Sequence, residues 1–256
     1  MGDRFRGKVA LVTGEDHDLI KEASTLFASE GAAIVANCSH SEWIETMIRE
    51  INAFDGVAKA GRFDLTSMQD AESLLNFTVD SFGKVDVLVS GIEIRDCGSA
   101  LDSVSEKWNE IIRPAIKNVF AITKYVSAHM RTQNSGQIVN IIRDKKTDSD
   151  ISVPNSVIIE AIIGFTRTTA LDMEKYGVGC NVVISDHARN AALVSAYICT
   201  NLVTPGISNI FRVDEREVSL YSVPAIERGI YSSDIFSVEE LNNLVPKYLF
   251  DGEELN

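Results

Sequence analysis

Short apolar runs alternate with amphipathic stretches along most of the chain. Seven runs, 8–12, 32–36, 57–62, 85–90, 137–142, 178–184 and 207–213, are rich in Val, Ile or Ala with little polar alternation. Strands buried on both faces of a parallel sheet read this way. Helical stretches lie between them. The first sets Leu19, Ala23, Leu26 and Phe27 on one face and stops at Gly31. The third begins after Asp64 and Thr66 and carries Leu74, Leu75 and Thr78. The fourth opens with Ser103 and Glu106 at capping-box spacing and continues to about Met130. The fifth spans about 155–176 and stops at Gly177. This strand–helix rhythm predicts an α/β fold, a doubly wound, Rossmann-like parallel sheet of seven strands.

The rhythm ends near residue 216. Glu217 to Ile235 has no clear period, and Val238, Leu241, Leu244 and Val245 then form a short helical stripe ended by Pro246 or soon after. The expected organisation is a domain over 1–216 and a C-terminal extension over 217–256, packed on that domain or on a partner subunit.

Composition narrows the class. Apolar residues make up 45% of the 256, enough for a sizeable core. The net charge of -13 disfavours nucleic acid and anionic membrane surfaces as partners, and otherwise serves solubility. No apolar run reaches the roughly 18 residues of a membrane span, and Met1 to Arg6 has no apolar core of a signal peptide. Cys38, Cys97, Cys180 and Cys199 are scattered, as are His17, His40, His129 and His187. Their spacing matches no zinc or redox motif, so free thiols, no metal site and a cytoplasmic location are expected.

The first strand runs into Thr13-Gly14-Glu15-Asp16-His17-Asp18-Leu19-Ile20 and then a helix. A strand, a glycine turn and a helix are the layout of a dinucleotide-binding unit. That turn uses three glycines: to turn, to admit the pyrophosphate, and to let helix and strand pack. Only Gly14 is present, and Asp18 and Ile20 fill the other two places. Glu15, Asp16 and Asp18 put carboxylates where the pyrophosphate rests. Two unit charges about 4 Å apart repel by about 4 kcal/mol at an effective dielectric of 20.

Taken with the run Gly7 to Gly14, several further segments complete a family likeness: Asp64, Phe82 to Val89, Trp108, Gly136 to Ile141, Gly164 to Arg167, and Val213-Asp214. On these residues the chain resembles the short-chain dehydrogenase/reductase family over residues 5–216. The resemblance implies a seven-stranded parallel sheet flanked by helices, and dimers or tetramers built on the fourth and fifth helices. It also implies an Asn, a Ser, and a Tyr four residues before a Lys as the catalytic set. Matched residue by residue, those places hold Ala115, Arg143, Asn155 and Ile159. Asn155 has no proton to exchange near neutral pH, and Ile159 has no charge to tune one. The family's Asn-Asn-Ala-Gly run corresponds to Ser90-Gly91-Ile92-Glu93. After the second strand, Asn37, Cys38 and Ser39 supply no carboxylate for a ribose. Thr13, Gly14 and Asp64 are retained, and turn and cap geometry accounts for all three. The Pro-Gly that opens the family's substrate loop is Ser185-Asp186, and only about 20 residues separate it from Gly206.

Catalytic, cofactor-binding and metal-binding residues are therefore all expected to be absent from this chain. The scaffold is kept: Ile158, Ile159, Ile162, Ile163 and Phe165 make the fifth helix strongly apolar. Val157-Ile158-Ile159 suits either a subunit contact or the filling of a vacated cleft, and spacing does not separate the two. Arg143, Lys145 and Lys146 are expected to form a small basic loop after the fifth strand, either a solvated turn or a contact for an anionic substrate or for an acid on a partner. The resemblance then implies a non-catalytic subunit paired with an active short-chain dehydrogenase paralogue, two copies of each, with NAD in the partner. Two other classes remain: a ligand-sensing module, and an enzyme using His17 and Asp18.

Overall fold

The computed structural model describes residues 2–38, 42–94, 108–144, 153–201, 205–222, 230 and 237–250. Ser39, His40, Cys97, Ser103, Glu106, Lys145 and Lys146 lie outside these residues, as does the side chain of Asn155. The chain divides into two units, Met1–Tyr221 and Ser222–Asn256.

The first unit holds one sheet. Its strands are β1 (Val9–Gly14), β2 (Ala33–Asn37), β3 (Val57–Gly61), β4 (Val87–Glu93), β5 (Gly136–Arg143), β6 (Val178–Ser185), β7 (Ile210–Val213) and β8 (Val218–Leu220). The order is β3-β2-β1-β4-β5-β6-β7-β8. The seven strands expected from the apolar runs are all present and pair in parallel, and β8 is an antiparallel eighth on β7. β8 falls in the segment that shows no period. Its three residues, with Val218 and Leu220 exposed, carry no pattern, and the strand exists because the edge of β7 offers it partners. Asp214 and Tyr221 each donate a backbone hydrogen bond across this last pair, at 2.9 and 2.8 Å.

Helices cover both faces. α1 (His17–Ser29), α2 (Trp43–Ala53) and α6 (Ala188–Asn201) share one face. α3 (Met68–Phe82), α4 (Arg113–Gln133) and α5 (Val153–Met173) cover the other. A π-helical turn, Trp108–Ile112, leads into α4, whose second residue is Pro114. α5 ends in a short 3-10 turn, and Gly177 closes it at a φ of 66° that favours glycine. Asn140 of β5 donates to Thr166 Oγ1 at 2.8 Å, which donates in turn to the Ile162 carbonyl, so a buried polar tie pins α5 to the sheet.

α5 resolves the ambiguity of its apolar run. Ile158, Ile162 and Ile163 are buried among Ile92, Ile142 and Ile184 of the sheet, and Val157, Ile159 and Phe165 pack against this cluster. These side chains serve the chain's own core. The outward face of α5 carries Gly164, Thr168 and Leu171.

In the second unit, α7 (Val238–Leu244) opens on a reciprocal capping box between Ser237 and Glu240. The hydrogen bonds from Ser237 hold the Glu240 carboxyl below its usual pKa. The helical run does not stop at Pro246: a π-helical turn continues from Val245 to Phe250. Val238 is 75% exposed.

Candidate functional site

In open α/β sheets ligands bind beyond the carboxyl ends of the strands, where the strand order reverses. Here the order reverses between β1 and β4, and the turn from β1 to α1 stands at that point. The two strands approach very closely. A Cβ on Gly14 would come 2.5 Å from the Gly91 carbonyl oxygen, and a Cβ on Gly91 would come 2.6 Å from Leu19. Close packing therefore accounts for both glycines without a ligand.

The three acids of the turn do not act alike. Asp16 is 3% exposed and points inward. Its Oδ1 accepts from the Leu19 backbone N–H at 3.0 Å, which caps α1. Its Oδ2 lies 3.0 Å from Nε of Arg143, itself 3% exposed. Asp18 is exposed, 3.1 Å from Nδ1 of His17. Glu15 is also exposed, and its carboxylate accepts from the Cys38 thiol at 3.8 Å. The His17 ring meets the Trp43 ring edge-on, with centroids 4.1 Å apart.

Arg143 corrects the expectation of a solvated basic loop. It is the last residue of β5, and pairs with Glu93 and Ser185 in the neighbouring strands. Val139 and Ile141 belong to the cluster that packs under α1. Strand alternation puts residue 143 on that same face. A strand extended by one residue with its period of two kept would have found this. Nε and Nη1 of Arg143 and Oδ2 of Asp16 have no aligned hydrogen bond, so the pair meets by charge rather than by a bidentate fork.

The end of β2 is also committed internally. Asn37 is 2% exposed, and its amide donates to Thr13 Oγ1 at 3.2 Å and to the Phe63 carbonyl at 3.1 Å. Its Oδ1 accepts from the Phe63 N–H at 2.9 Å. One side chain thus ties β1, β2 and the loop after β3 together. Asp64 organises the turn into α3, accepting from the backbone N–H and hydroxyl of Thr66 at 2.9 and 2.7 Å.

The remaining matched places are spread over the same end of the sheet. Ala115 and Ile159 are partly buried against the cluster of Ile92, Ile142 and Ile184, and Asn155 lies in the first turn of α5. Ser90 is buried in β4. Ser185 is 2% exposed; its hydroxyl accepts from the His187 N–H at 3.0 Å and donates to the His187 carbonyl at 3.1 Å. The chain then enters α6 directly, and Ala191, Ala192, Ala196 and Ile198 of that helix pack in the cluster with α1. Among the described residues no group of three His, Cys, Asp or Glu is placed to hold a metal ion, and no helix is long and apolar enough to cross a membrane.

Sheet order, the glycine turn at the point of reversal and helices on both faces define a doubly wound protein of the dinucleotide-binding type. Residues 8–189 match the short chain dehydrogenase family, and the chain belongs to that family. It is 32% identical over 178 residues to a 3-oxoacyl-[acyl-carrier-protein] reductase of Synechocystis, 69% of this chain and 72% of that protein. It is 28% identical over 180 residues to the (2S)-[(R)-hydroxy(phenyl)methyl]succinyl-CoA dehydrogenase subunit BbsD of Thauera aromatica, 70% of this chain and 72% of that subunit. A short chain dehydrogenase structure from Mycobacterium avium superposes with a TM-score of 0.81 at 22% identity, covering 98% and 97% of the two chains, which is a likeness of fold.

Proposed function

We propose that this chain is a catalytically silent short-chain dehydrogenase subunit that assembles with, and supports, an active paralogue. The observation that carries the proposal is the buried Asp16–Arg143 pair, which joins the cofactor turn to the position matching the catalytic Ser. A carboxylate from the chain itself uses the α1 N-terminus, where a pyrophosphate would be drawn. The residues present do not fit a dinucleotide. Asp16 occupies the α1 N-terminus, the Asn37 amide is spent on Thr13 and Phe63, and none of Asn37, Cys38 and Ser39 is an acid that could take a ribose. Ile159 likewise offers no cation beside the position of the general acid.

Support for a partner comes from the other face. Phe120 of α4 is 44% exposed, with its ring 5.7 Å from that of Phe165, and Leu171 of α5 is 63% exposed. These residues flank a surface on which a second helix pair fits. Two copies of each subunit, related by two-fold axes, are the arrangement proposed.

The particular assembly proposed is a dehydrogenase that oxidises 2-[hydroxy(phenyl)methyl]succinyl-CoA to benzoylsuccinyl-CoA with NAD held by the partner, as in toluene degradation. Similarity to the Thauera aromatica protein supports it, since that protein is by name a subunit of a (2S)-[(R)-hydroxy(phenyl)methyl]succinyl-CoA dehydrogenase. The test is co-expression with an intact short-chain dehydrogenase paralogue from the same organism, followed by purification on a tag carried by this chain alone. Co-elution in equal amounts, with turnover that depends on the partner's catalytic residues, is expected. Turnover by this chain without any partner would refute the proposal.

A further inference from the structure

The Asp16–Arg143 pair has a chemical oddity that a simple structural ion pair lacks. Arg143 is buried, yet Nε and Nη1 make no aligned hydrogen bond, and Oδ2 of Asp16 makes none either. A guanidinium presents five donors in a planar fork suited to oxyanions. Beside it stands the N-terminus of α1, a 13-residue helix, whose Leu19 N–H is turned to the same carboxylate. One backbone donor, the positive end of a helix dipole and an under-used guanidinium converge on one carboxyl group.

We infer that Asp16 is the resident anion of an oxyanion site built from the α1 N-terminus and Arg143, so that the chain plugs its own phosphate position. The inference deepens the reading of this chain as a subunit without a cofactor, and rests on it. Arg143 does not come from the glycine turn but from the far end of β5. The plug therefore spans the cleft from the phosphate side to the side of the missing catalytic Ser. Remove the carboxylate, and a free oxyanion such as inorganic phosphate can take its place. Glu15 and Asp18 flank the turn and oppose an incoming anion, which limits affinity to roughly the millimolar range.

The test compares wild type, Asp16→Gly and Asp16→Gly/Arg143→Met by thermal unfolding, in chloride and in 100 mM inorganic phosphate. Phosphate stabilises proteins generally by exclusion from their surface, so only the difference between variants counts. With phosphate at about 100 times its dissociation constant, the single variant gains roughly 5–10 °C more than the other two proteins. A folded Asp16→Gly chain that gains no more than the double variant overturns the inference. If Asp16→Gly does not fold, a cycle through Asp16→Asn, Arg143→Met and their combination decides, because Asn keeps the cap. The pair is upheld if the combination is more stable than Arg143→Met or Asp16→Asn alone, and rejected if the losses add. Absent phosphate rescue in a chain that also fails to bind NAD removes the plug and leaves the proposed function intact. NAD binding by the wild-type chain removes both.

Discussion

Gly164 offers a sharp test of the subunit reading, because its substitution should act with opposite sign on the chain and on the assembly. It sits in the middle of α5, exposed, and among the described residues a Cβ added there meets nothing within 4 Å beyond its own stretch of helix backbone. Glycine in a helix interior costs about 1 kcal/mol relative to Ala. Among the described residues nothing offsets that cost, since neither backbone geometry nor a close neighbour requires the missing side chain. A helix of another subunit lying across this spot supplies the reason: interaxial distances of about 8–10 Å depend on the side chains at the crossing. Gly164→Ala and Gly164→Gln should each raise the stability of the isolated chain by about 0.5–1 kcal/mol, or roughly 1–4 °C in Tm. In the assembly, the Gln side chain must be accommodated between helices. Overpacking of this kind costs about 1–3 kcal/mol, a loosening of about 5- to 150-fold in Kd. Differential scanning fluorimetry reads the first effect, and sedimentation equilibrium with the paralogue reads the second. An assembly that keeps its affinity with Gly164→Gln would refute the placement of α5 at the contact.

Two further outcomes follow from the same structure. Relative to a chain truncated after Tyr221, truncation after Arg216 removes β8 and its hydrogen bonds to β7, at about 1 kcal/mol each. A drop of roughly 5–10 °C is expected for the shorter form alone, measured by circular dichroism; equal Tm values would show that β8 contributes nothing. Burial pushes the Cys180 thiol from 9.0 up to about 12, so at pH 8 its thiolate fraction is about 10⁻⁴ and its labelling by an aromatic disulfide should wait on unfolding. The sign of the linked effect is fixed by the raised value: the unfolded chain loses this proton first, so stability present below pH 9 falls as pH rises towards 12.

The sheet was legible in the sequence for a plain reason. Strands buried on both faces leave unbroken apolar runs, and Ala10-Leu11-Val12 or Ile138 to Ile142 can hardly be read otherwise. β8 was not legible, because Val218 and Leu220 are exposed and only β7 makes a strand of them. At the site, the identity of each matched residue could be read from the chain, but not its direction. Asp16, Asp18 and Glu15 look equivalent in sequence, and only the fold turns one of them inward to Arg143. Ile158 likewise could not be assigned from spacing, and only the packing of α5, pinned by Asn140 and Thr166, shows it buried against the sheet.

Cofactor stoichiometry tests the central claim most directly. NAD is titrated calorimetrically into the isolated chain and into the purified complex. The account predicts no binding to the chain alone at millimolar NAD, and one NAD for every two polypeptides in the complex. Micromolar binding to the isolated chain, or one NAD per polypeptide in the complex, would contradict it.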